Sequence, residues 1–343
     1  MARLEIRWKF FFLALPFVIV VGWAIGFSIP YYSISPGDAL DTSSLISVPH
    51  ASPQRYKHSI FMTDVTLTHL TPILWLFDHL ASNVTIYPAS EIVGNADSSQ
   101  FSQQQLSQMA NAKLAAGVAA FKYLHRFVPE VYGAEVLAVV PGTPAAGILQ
   151  PGDLITKVGS YSITSMKTFS TSVSSSSPGA TVKLSVIRQS TSSSSLAFRH
   201  RTFTVKLGED PRDPKQAFLG VEFTQGVFYA LPGSIRISTG AIGGPSAGLA
   251  FTLQLVQELS HRRFNQKVEV AATGTIAPNG AVGEVGGVPQ KAVAVYRAGV
   301  RVFLVPVQQV AQAHTYVGNR LKIVGVSSLS QAIDIIKHLR STA

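Results

Sequence analysis

The first part of the chain is a long run of hydrophobic residues. Positions 10–29 read FFFLALPFVIVVGWAIGFSI and include no charged residue. About 20 apolar residues span about 30 Å as a helix, which is enough to cross a bilayer. Because Arg3, Arg7 and Lys9 precede the run, the pattern predicts one transmembrane helix with a cytoplasmic N-terminus and the rest of the chain outside the cytoplasm. A cleaved signal peptide is the alternative.

The segments after this run show strand and helix periodicity. Residues 34–53, rich in Ser and Pro, are predicted to be a linker or irregular start. Alternation predicts strands at 59–70 and 83–93, with a short amphipathic helix at 71–80 between them. Residues 103–125 contain no proline and carry apolar side chains at helical spacing, which predicts a long helix with a core-facing side.

Residues 131–209 have the pattern of a compact β-rich unit. Two Ser-rich connectors are predicted, at 170–178 and 190–195. The segment PGTPAAGILQPGDLI combines small residues for a tight helical turn with a Pro-Gly-Asp turn before a buried strand. This pattern resembles a PDZ domain. The predicted strands are 134–140, 154–158, 181–189 and 201–208.

The resemblance to PDZ domains implies a peptide-binding role, because those domains bind extended peptides by strand addition. The carboxylate-binding loop is expected near Val131–Ala134, where only Tyr132-Gly133 matches the usual glycine-apolar repeat. A structural spacer without a ligand is the alternative.

Residues 234–259 contain a Gly-rich loop between a short strand and a strongly apolar helix. Pro245-Ser246-Ala247-Gly248 is predicted to open that helix. A serine there lies beside free backbone N–H groups at the positive end of the helix dipole, and such groups can stabilise an oxyanion. An ordinary N-cap serine is the alternative. The candidates are Ser246 as nucleophile and, for contact with the oxyanion and substrate backbone, Gly243, Gly244 and Ala247.

A second helix, predicted within residues 279–299, carries one lysine in an apolar stretch. Lys291 is the only charged residue between Val285 and Tyr296, and its helical neighbours are apolar. Desolvation penalises an ammonium group there, so the amine loses its charge readily and can accept the proton of a serine hydroxyl. A surface lysine with a buried stem is the alternative.

These two motifs together resemble the Lon protease family. GGPSAG around Ser246 resembles the nucleophile motif of that family, and TGTI…GAVGEVGGVPQKAVAVYRAGVRVFLVP resembles the motif that carries its catalytic lysine. The resemblance implies a Ser246–Lys291 dyad in which Thr273 orients the amine; a plain strand threonine is the alternative for Thr273. Gly243 and Thr275 stand where ATP-driven members often carry acidic residues. Family members often form hexameric rings, so a homo-oligomer is left open.

The resemblance also implies a fold. A Lon-type proteolytic domain needs sheet and helix before its serine, and only residues 210–245 lie between the β-rich unit and Ser246. We therefore predict an α+β fold in which a PDZ-like domain interrupts a Lon-type proteolytic domain, after one N-terminal transmembrane helix. The predicted division is 1–34 for the cytoplasmic tip and anchor, 35–126 for the first part of the peptidase domain, 127–209 for the PDZ-like domain and 210–343 for the second part with the dyad.

Composition argues against several other classes. The 343-residue chain is 46% hydrophobic and 13% charged, which is too apolar for a disordered protein. It has no cysteine, so disulfides, thiolate metal sites and a cysteine nucleophile are excluded. Its histidines are scattered and form no H-E-x-x-H motif, so neither a metal nor a cofactor is predicted.

The net charge of +10 is interpreted as a generally basic surface. The densest basic stretch, Arg199–Arg201, leads into an alternating segment that is typical of an edge strand. Nucleic-acid binding needs a basic stripe with interleaved aromatic residues, so we do not predict it.

The predicted function is endopeptidase action on extracytoplasmic polypeptides. No G-x-x-x-x-G-K-[ST] motif occurs in the sequence, so this action is predicted to be independent of ATP. GPSAG also satisfies the G-x-S-x-G motif of α/β-hydrolases. However, Asp334 is the only aspartate after Ser246, and His338 is the only histidine after that aspartate. They lie four residues apart on one predicted helix and cannot complete that triad. A catalytically silent, membrane-anchored peptide-binding scaffold is the alternative function.

Overall fold

A computed structural model defines the fold of most of the chain. It describes Gly22 and residues 24–49, 60–94, 96–188, 199–232, 234–261, 264 and 268–339. Most of the run at 10–29, predicted to span a membrane, lies outside the described residues, as does the predicted connector at 190–195. Within the described ranges, no helix is both long and apolar enough to cross a membrane.

The strands and helices of the described residues follow in chain order. The strands are β1 Tyr31–Asp41, β2 Ile46–Ser47, β3 Ile60–His69, β4 Thr85–Pro88, β5 Glu130–Val139, β6 Leu154–Val158, β7 Tyr161–Ser162, β8 Thr181–Arg188, β9 Arg199–Lys206, β10 Gly208–Glu209, β11 Ala217–Phe218, β12 Val221–Tyr229, β13 Arg236–Ile237, β14 Val270–Ala272, β15 Thr275–Ile276, β16 Val282–Gly283, β17 Val302–Pro306 and β18 Lys322–Val326. The α-helices are α1 Pro72–Leu80, α2 Ala89–Ile92, α3 Ser98–Tyr123, α4 Met166–Ser174, α5 Gly248–Ser260, α6 Val288–Arg297, α7 Val310–Ala313 and α8 Leu329–His338.

One six-stranded mixed sheet, in the order β18-β17-β14-β3-β1-β4, is the centre of what we name the α/β unit. Alternate side chains of a strand point to opposite faces of its sheet. Val302 and Leu304 of β17 accordingly pack with α3, α5 and α8, whereas Phe303 and Val305 pack with α6 and α7. Helices therefore cover both faces of the sheet.

The α/β unit combines segments from both sides of the β-rich unit. The parallel pairing of β14 with β3, in the register Val270↔Ile60, joins the later segment to the earlier one. This pairing agrees with an inserted β-rich unit, while the exact domain bounds stay predictions. The linker predicted at 34–53 is wrong, because β1 begins at Tyr31 and lies between β3 and β4 in the sheet.

The β-rich unit is a second sheet with the order β12-β5-β6-β8-β9, in which β7 also pairs with β6. Because β12 pairs with β5 along its whole length, this sheet extends to Tyr229, beyond the predicted end at 209. Val131–Ala134 lies inside β5 and is paired with β12, so the prediction of a carboxylate-binding loop there is wrong. The edge strand expected after Arg201 is confirmed, since β9 pairs with β8 and ends the sheet.

The two helices predicted before the β-rich unit are present, whereas the strand predicted at 83–93 is only partly right, because β4 ends at Pro88 and α2 follows it. The long helix is confirmed as α3, and it begins at Ser98 because Asp97 forms a capping box with Gln100. α1 confirms the helix at 71–80, yet none of its residues is buried. α4 occupies part of the connector predicted at 170–178, and the Ser165 hydroxyl accepts a hydrogen bond from its first turn.

A buried ion pair stabilises the β-rich unit. Asp153 is fully buried, and Arg188 donates to it from Nη2 at 2.6 Å and from Nε at 2.7 Å. Arg188→Met should lower the free energy of unfolding of this unit by about 3 kcal/mol, because the carboxylate would stay buried without its partner. The exposed Lys183 of the same strand provides the control Lys183→Met. Hydrogen exchange of the β6 and β8 amides measures the effect, and equal protection in the two variants would contradict it.

Candidate active site

Ser246 lies in the turn between the Gly-rich loop and α5. The helix begins at Gly248 with Ala247 as its N-cap, and no side chain caps it. Ser246 is therefore not an N-cap serine, and its side chain, on a half-buried residue, is not used to start the helix. Among the described residues, no acceptor binds the backbone N–H groups of Ser246 or Ala247.

The turn after β14 holds the backbone of Ser246. The Ser246 carbonyl accepts hydrogen bonds from Gly274 N at 2.9 Å and from Thr273 Oγ1 at 3.2 Å. Leu249 N donates to the Gly274 carbonyl at 3.1 Å, which fixes the first turn of α5 as well. Gly248 permits this close approach, because a Cβ there would lie 2.9 Å from a β15 side chain. The serine is thus positioned by backbone and side-chain hydrogen bonds from the connection between β14 and β15.

Gln105 of α3 supports the Gly-rich loop from the other side. Gly244 N donates to the Gln105 carbonyl at 2.8 Å, so this N–H is not free for an oxyanion, in contrast to its predicted role. A Cβ at Gly243 would lie 2.7 Å from Gln105 Cβ. Glycine at 243 is therefore required by packing against α3, whereas its predicted role was contact with the oxyanion or the substrate backbone.

Lys291 lies in the first turns of α6 and is only 2% exposed. Its helical neighbours Val288, Ala294 and Val295 are all buried, as their apolar pattern indicates. Burial lowers the pKa of the Lys291 amine to about 7, because desolvation disfavours the charged form. The alternative of a surface lysine is therefore wrong.

The Thr273 hydroxyl contacts both parts of the site. Lys291 Nζ lies 3.4 Å from Thr273 Oγ1, a long hydrogen bond. Since a hydroxyl has a single proton and this one is donated to the Ser246 carbonyl, Thr273 accepts from the amine. An uncharged amine that donates to Thr273 keeps its lone pair for another partner. α5 and α6 cover opposite faces of the sheet. Thr273, which follows β14, links the two segments through its hydrogen bonds to the Ser246 carbonyl and the Lys291 amine.

Asp64 of β3 is a residue that the sequence analysis missed. Its carboxylate is the second influence on the Lys291 amine, and it raises the pKa that burial lowers. Asp64 Oδ1 accepts a hydrogen bond from Asp38 N at 2.6 Å, where the pairing of β1 with β3 is irregular between Pro36 and Ala39. No local pattern identifies this residue, because its relation to Lys291 arises only when β3 packs beside α6.

The residues considered for other chemistries lie apart from this arrangement. Asp334 and His338 are exposed on α8, where the His338 ring contacts the Asp334 carbonyl of the same helix. In the described part of the chain, no three His, Asp or Glu side chains are grouped as a metal site.

Two protein families match the chain. Residues 222–339 match the Lon protease (S16) C-terminal proteolytic domain, and residues 120–196 match the PDZ domain. The first match contains Ser246, Thr273 and Lys291 and indicates a serine peptidase domain. It also includes 222–229, which pairs within the β-rich sheet.

Similar individual proteins cover only parts of these units. The Lon protease of Ureaplasma parvum serovar 3 is 30% identical over 122 residues, which are 34% of this chain and 15% of that protein. The Lon protease of Syntrophomonas wolfei is 31% identical over 146 residues, 39% of this chain and 18% of that protein. The chain thus spans less than one fifth of either relative. The PDZ domain of an SdrC-like protein from Listeria monocytogenes is 25% identical, covers 27% of this chain and 87% of that domain, and has a TM-score of 0.23.

Proposed function

We propose that this chain is an ATP-independent serine endopeptidase with Ser246 as nucleophile and Lys291 as general base. One observation carries the proposal: the buried Lys291 amine contacts the hydroxyl that also holds the Ser246 backbone. The match to the Lon proteolytic domain supports the same class of reaction. The lack of a G-x-x-x-x-G-K-[ST] motif in the 343 residues supports independence of ATP.

In the proposed reaction, uncharged Lys291 Nζ takes the proton of Ser246 Oγ while Oγ bonds to the scissile carbonyl carbon. The resulting oxyanion accepts hydrogen bonds from the N–H groups of Ser246 and Ala247. The lysine ammonium then gives its proton to the leaving amine as the C–N bond breaks. Water, deprotonated by the same amine, hydrolyses the acyl ester and restores the serine.

The edge strand β12 is the proposed peptide-binding element of the β-rich unit. The segment Phe218-Leu219-Gly220-Val221 leads into it, and Phe223 contacts Phe169 of α4 edge to face at 4.4 Å between ring centroids. An extended peptide that adds to β12 would lie beside α4. This strand lies beyond residue 209, the predicted end of the unit.

The N-terminal apolar run supports a further part of the proposal, a single transmembrane anchor with a cytoplasmic N-terminus. The catalytic part would then lie outside the cytoplasm, where its substrates are extracytoplasmic polypeptides.

Cleavage of casein by the purified full-length chain, without nucleotide, tests the function. We expect turnover by the wild type and none by Ser246→Ala. If both proteins cleave casein equally, Ser246 is not the nucleophile, and if neither does, the scaffold function is favoured.

The pH dependence of turnover follows from the Lys291 pKa of about 7. Because only the uncharged amine accepts a proton, log kcat/KM should rise with pH up to about 7 and be level above it. Asp64→Asn removes the charge that raises this pKa, so log kcat/KM of the variant should rise at lower pH than that of the wild type. The amide oxygen of the asparagine can still accept the hydrogen bond from Asp38 N. Asp334→Asn, at an exposed position of α8, is the control. An unshifted profile in Asp64→Asn would contradict the assignment.

Thr273→Val should lower kcat by about 10- to 100-fold with little change in KM, because the Lys291 amine would lose the acceptor that orients it. Thr63 provides a matched control on the neighbouring strand β3. It is also buried, and its hydroxyl has no hydrogen-bond partner among the described residues. Thr63→Val should keep wild-type turnover, so equal losses in the two variants would mean that Thr273 acts through packing alone.

A further inference from the structure

Helix α1 presents apolar side chains to solvent. None of its nine residues is buried, and Leu76, Phe77 and Leu80 are 55%, 63% and 78% exposed. Asp78 is its only charged residue. An exposed apolar surface of this kind marks a site of interaction.

The helix begins where the N-terminal apolar run enters the fold. Ile29 N donates to the Leu70 carbonyl at 2.8 Å, and Leu70 N donates to the Tyr31 carbonyl at 2.9 Å. α1 starts two residues after Leu70, so it lies next to the point at which residues 10–29 continue towards the N-terminus. Ile25 and Phe27, on that connecting segment, are exposed as well.

We propose that α1 is a second membrane contact, which lies in the outer interface of the bilayer that residues 10–29 cross. Interfacial helices place Trp, Phe and Leu at the boundary between headgroups and acyl chains, and α1 offers Trp75, Phe77 and three leucines. The inference rests on the proposed anchor and goes beyond the peptidase function. It implies that the α/β unit is held to the bilayer at two points, so its orientation to the membrane is fixed.

Lipid suits this surface better than a second copy of the chain does. A nine-residue helix is about 14 Å long and about 10 Å wide. The area that it offers is therefore far smaller than the roughly 800 Å² that each partner buries in a stable protein interface. α1 contains no Lys or Arg, so its contact with lipid should depend on apolar burial and not on anionic headgroups.

The three tryptophans of the chain are Trp8, Trp23 and Trp75, which allows a direct test. In the full-length chain with Trp8→Phe and Trp23→Phe, Trp75 is the only tryptophan. The protein is reconstituted into phosphatidylcholine vesicles with plain or brominated acyl chains, and flotation establishes that it is bound. We expect bromine to lower Trp75 emission by roughly twofold, because the ring lies at the acyl boundary. Phe77→Ser with Leu80→Ser should remove most of this quenching.

The control moves the tryptophan to the β-rich unit, as Tyr161→Trp with Trp75→Phe in the same background. Tyr161 is 59% exposed, and its replacement should not be quenched by bromine. Protein that floats while its Trp75 emission is unquenched would overturn the proposal. If that emission is also blue-shifted and changes with protein-to-lipid ratio, a second copy covers α1. Failure of the chain to float would overturn both the anchor and the proposal, while casein cleavage in detergent would still report the peptidase function.

Discussion

Ser246→Ala is expected to lower kcat/KM for ATP-free peptide cleavage by about 10⁴-fold or more. The hydroxyl would supply the only nucleophile in the proposed reaction, and its loss leaves only what the backbone N–H groups and substrate binding contribute. The fold should not change, since the Ser246 carbonyl, not its side chain, makes the bonds to Thr273 and Gly274.

Ser238→Ala is the matched control for this prediction. Ser238 is an exposed serine shortly before the same Gly-rich loop, and its replacement should leave cleavage unchanged. A fluorophosphonate probe gives an independent measurement, because mass spectrometry should find its adduct on the peptide that contains Ser246. Labelling at another serine, or cleavage that persists in Ser246→Ala, would show that the nucleophile lies elsewhere.

Local sequence was sufficient for the parts of the site that depend on near neighbours. The buried state of Lys291 follows from apolar residues at i−3, i+3 and i+4, because those positions share its face of the helix. The long helix α3 follows from the same periodicity. The Gly-rich loop before an apolar helix predicts that Ser246 lies in a turn. It does not predict that the helix begins only two residues later, at Gly248.

The features that were missed depend on contacts between distant segments. β1 reads YYSISPGDALD, a polar sequence with Pro and Gly that has low strand propensity, and it is a strand because β3 and β4 pair with it on both sides. β12 has an ordinary strand pattern, but nothing near it in the sequence shows that its partner is β5. Asp64 was missed for the same reason, because in the sequence it is only one polar position of an alternating strand and nothing near it indicates contact with α6.

Lys291→Met should abolish turnover and yet stabilise the protein. Without the amine no group near Ser246 takes its proton, so kcat/KM should fall by at least about 10³-fold. In the folded chain the pKa of Lys291 is about 7, whereas an unfolded lysine has a pKa of about 10.4. At a pH between these two pKa values, the unfolded state binds a proton that the folded state does not. The free energy of unfolding of the wild type therefore rises with pH across this range.

Methionine has no proton to bind, so the variant should lack this pH-dependent increase in stability. At pH 8 the lysine costs the folded state about 3 kcal/mol by this linkage. Loss of the long hydrogen bond to Thr273 offsets about 1 kcal/mol of the gain. Urea unfolding of the wild type and Lys291→Met at pH 8 should therefore differ by about 2 kcal/mol in favour of the variant, and the difference should shrink as the pH approaches 10.

Lys113 of α3 separates the two effects. It is also buried, and desolvation lowers its pKa as well, so Lys113→Met should not destabilise the fold but should keep full activity. If Lys291→Met instead lowers the free energy of unfolding, the amine is charged and paired in the folded protein and cannot serve as a base. If turnover survives in that variant, another group accepts the serine proton, and the dyad is wrong even though Ser246 is the nucleophile.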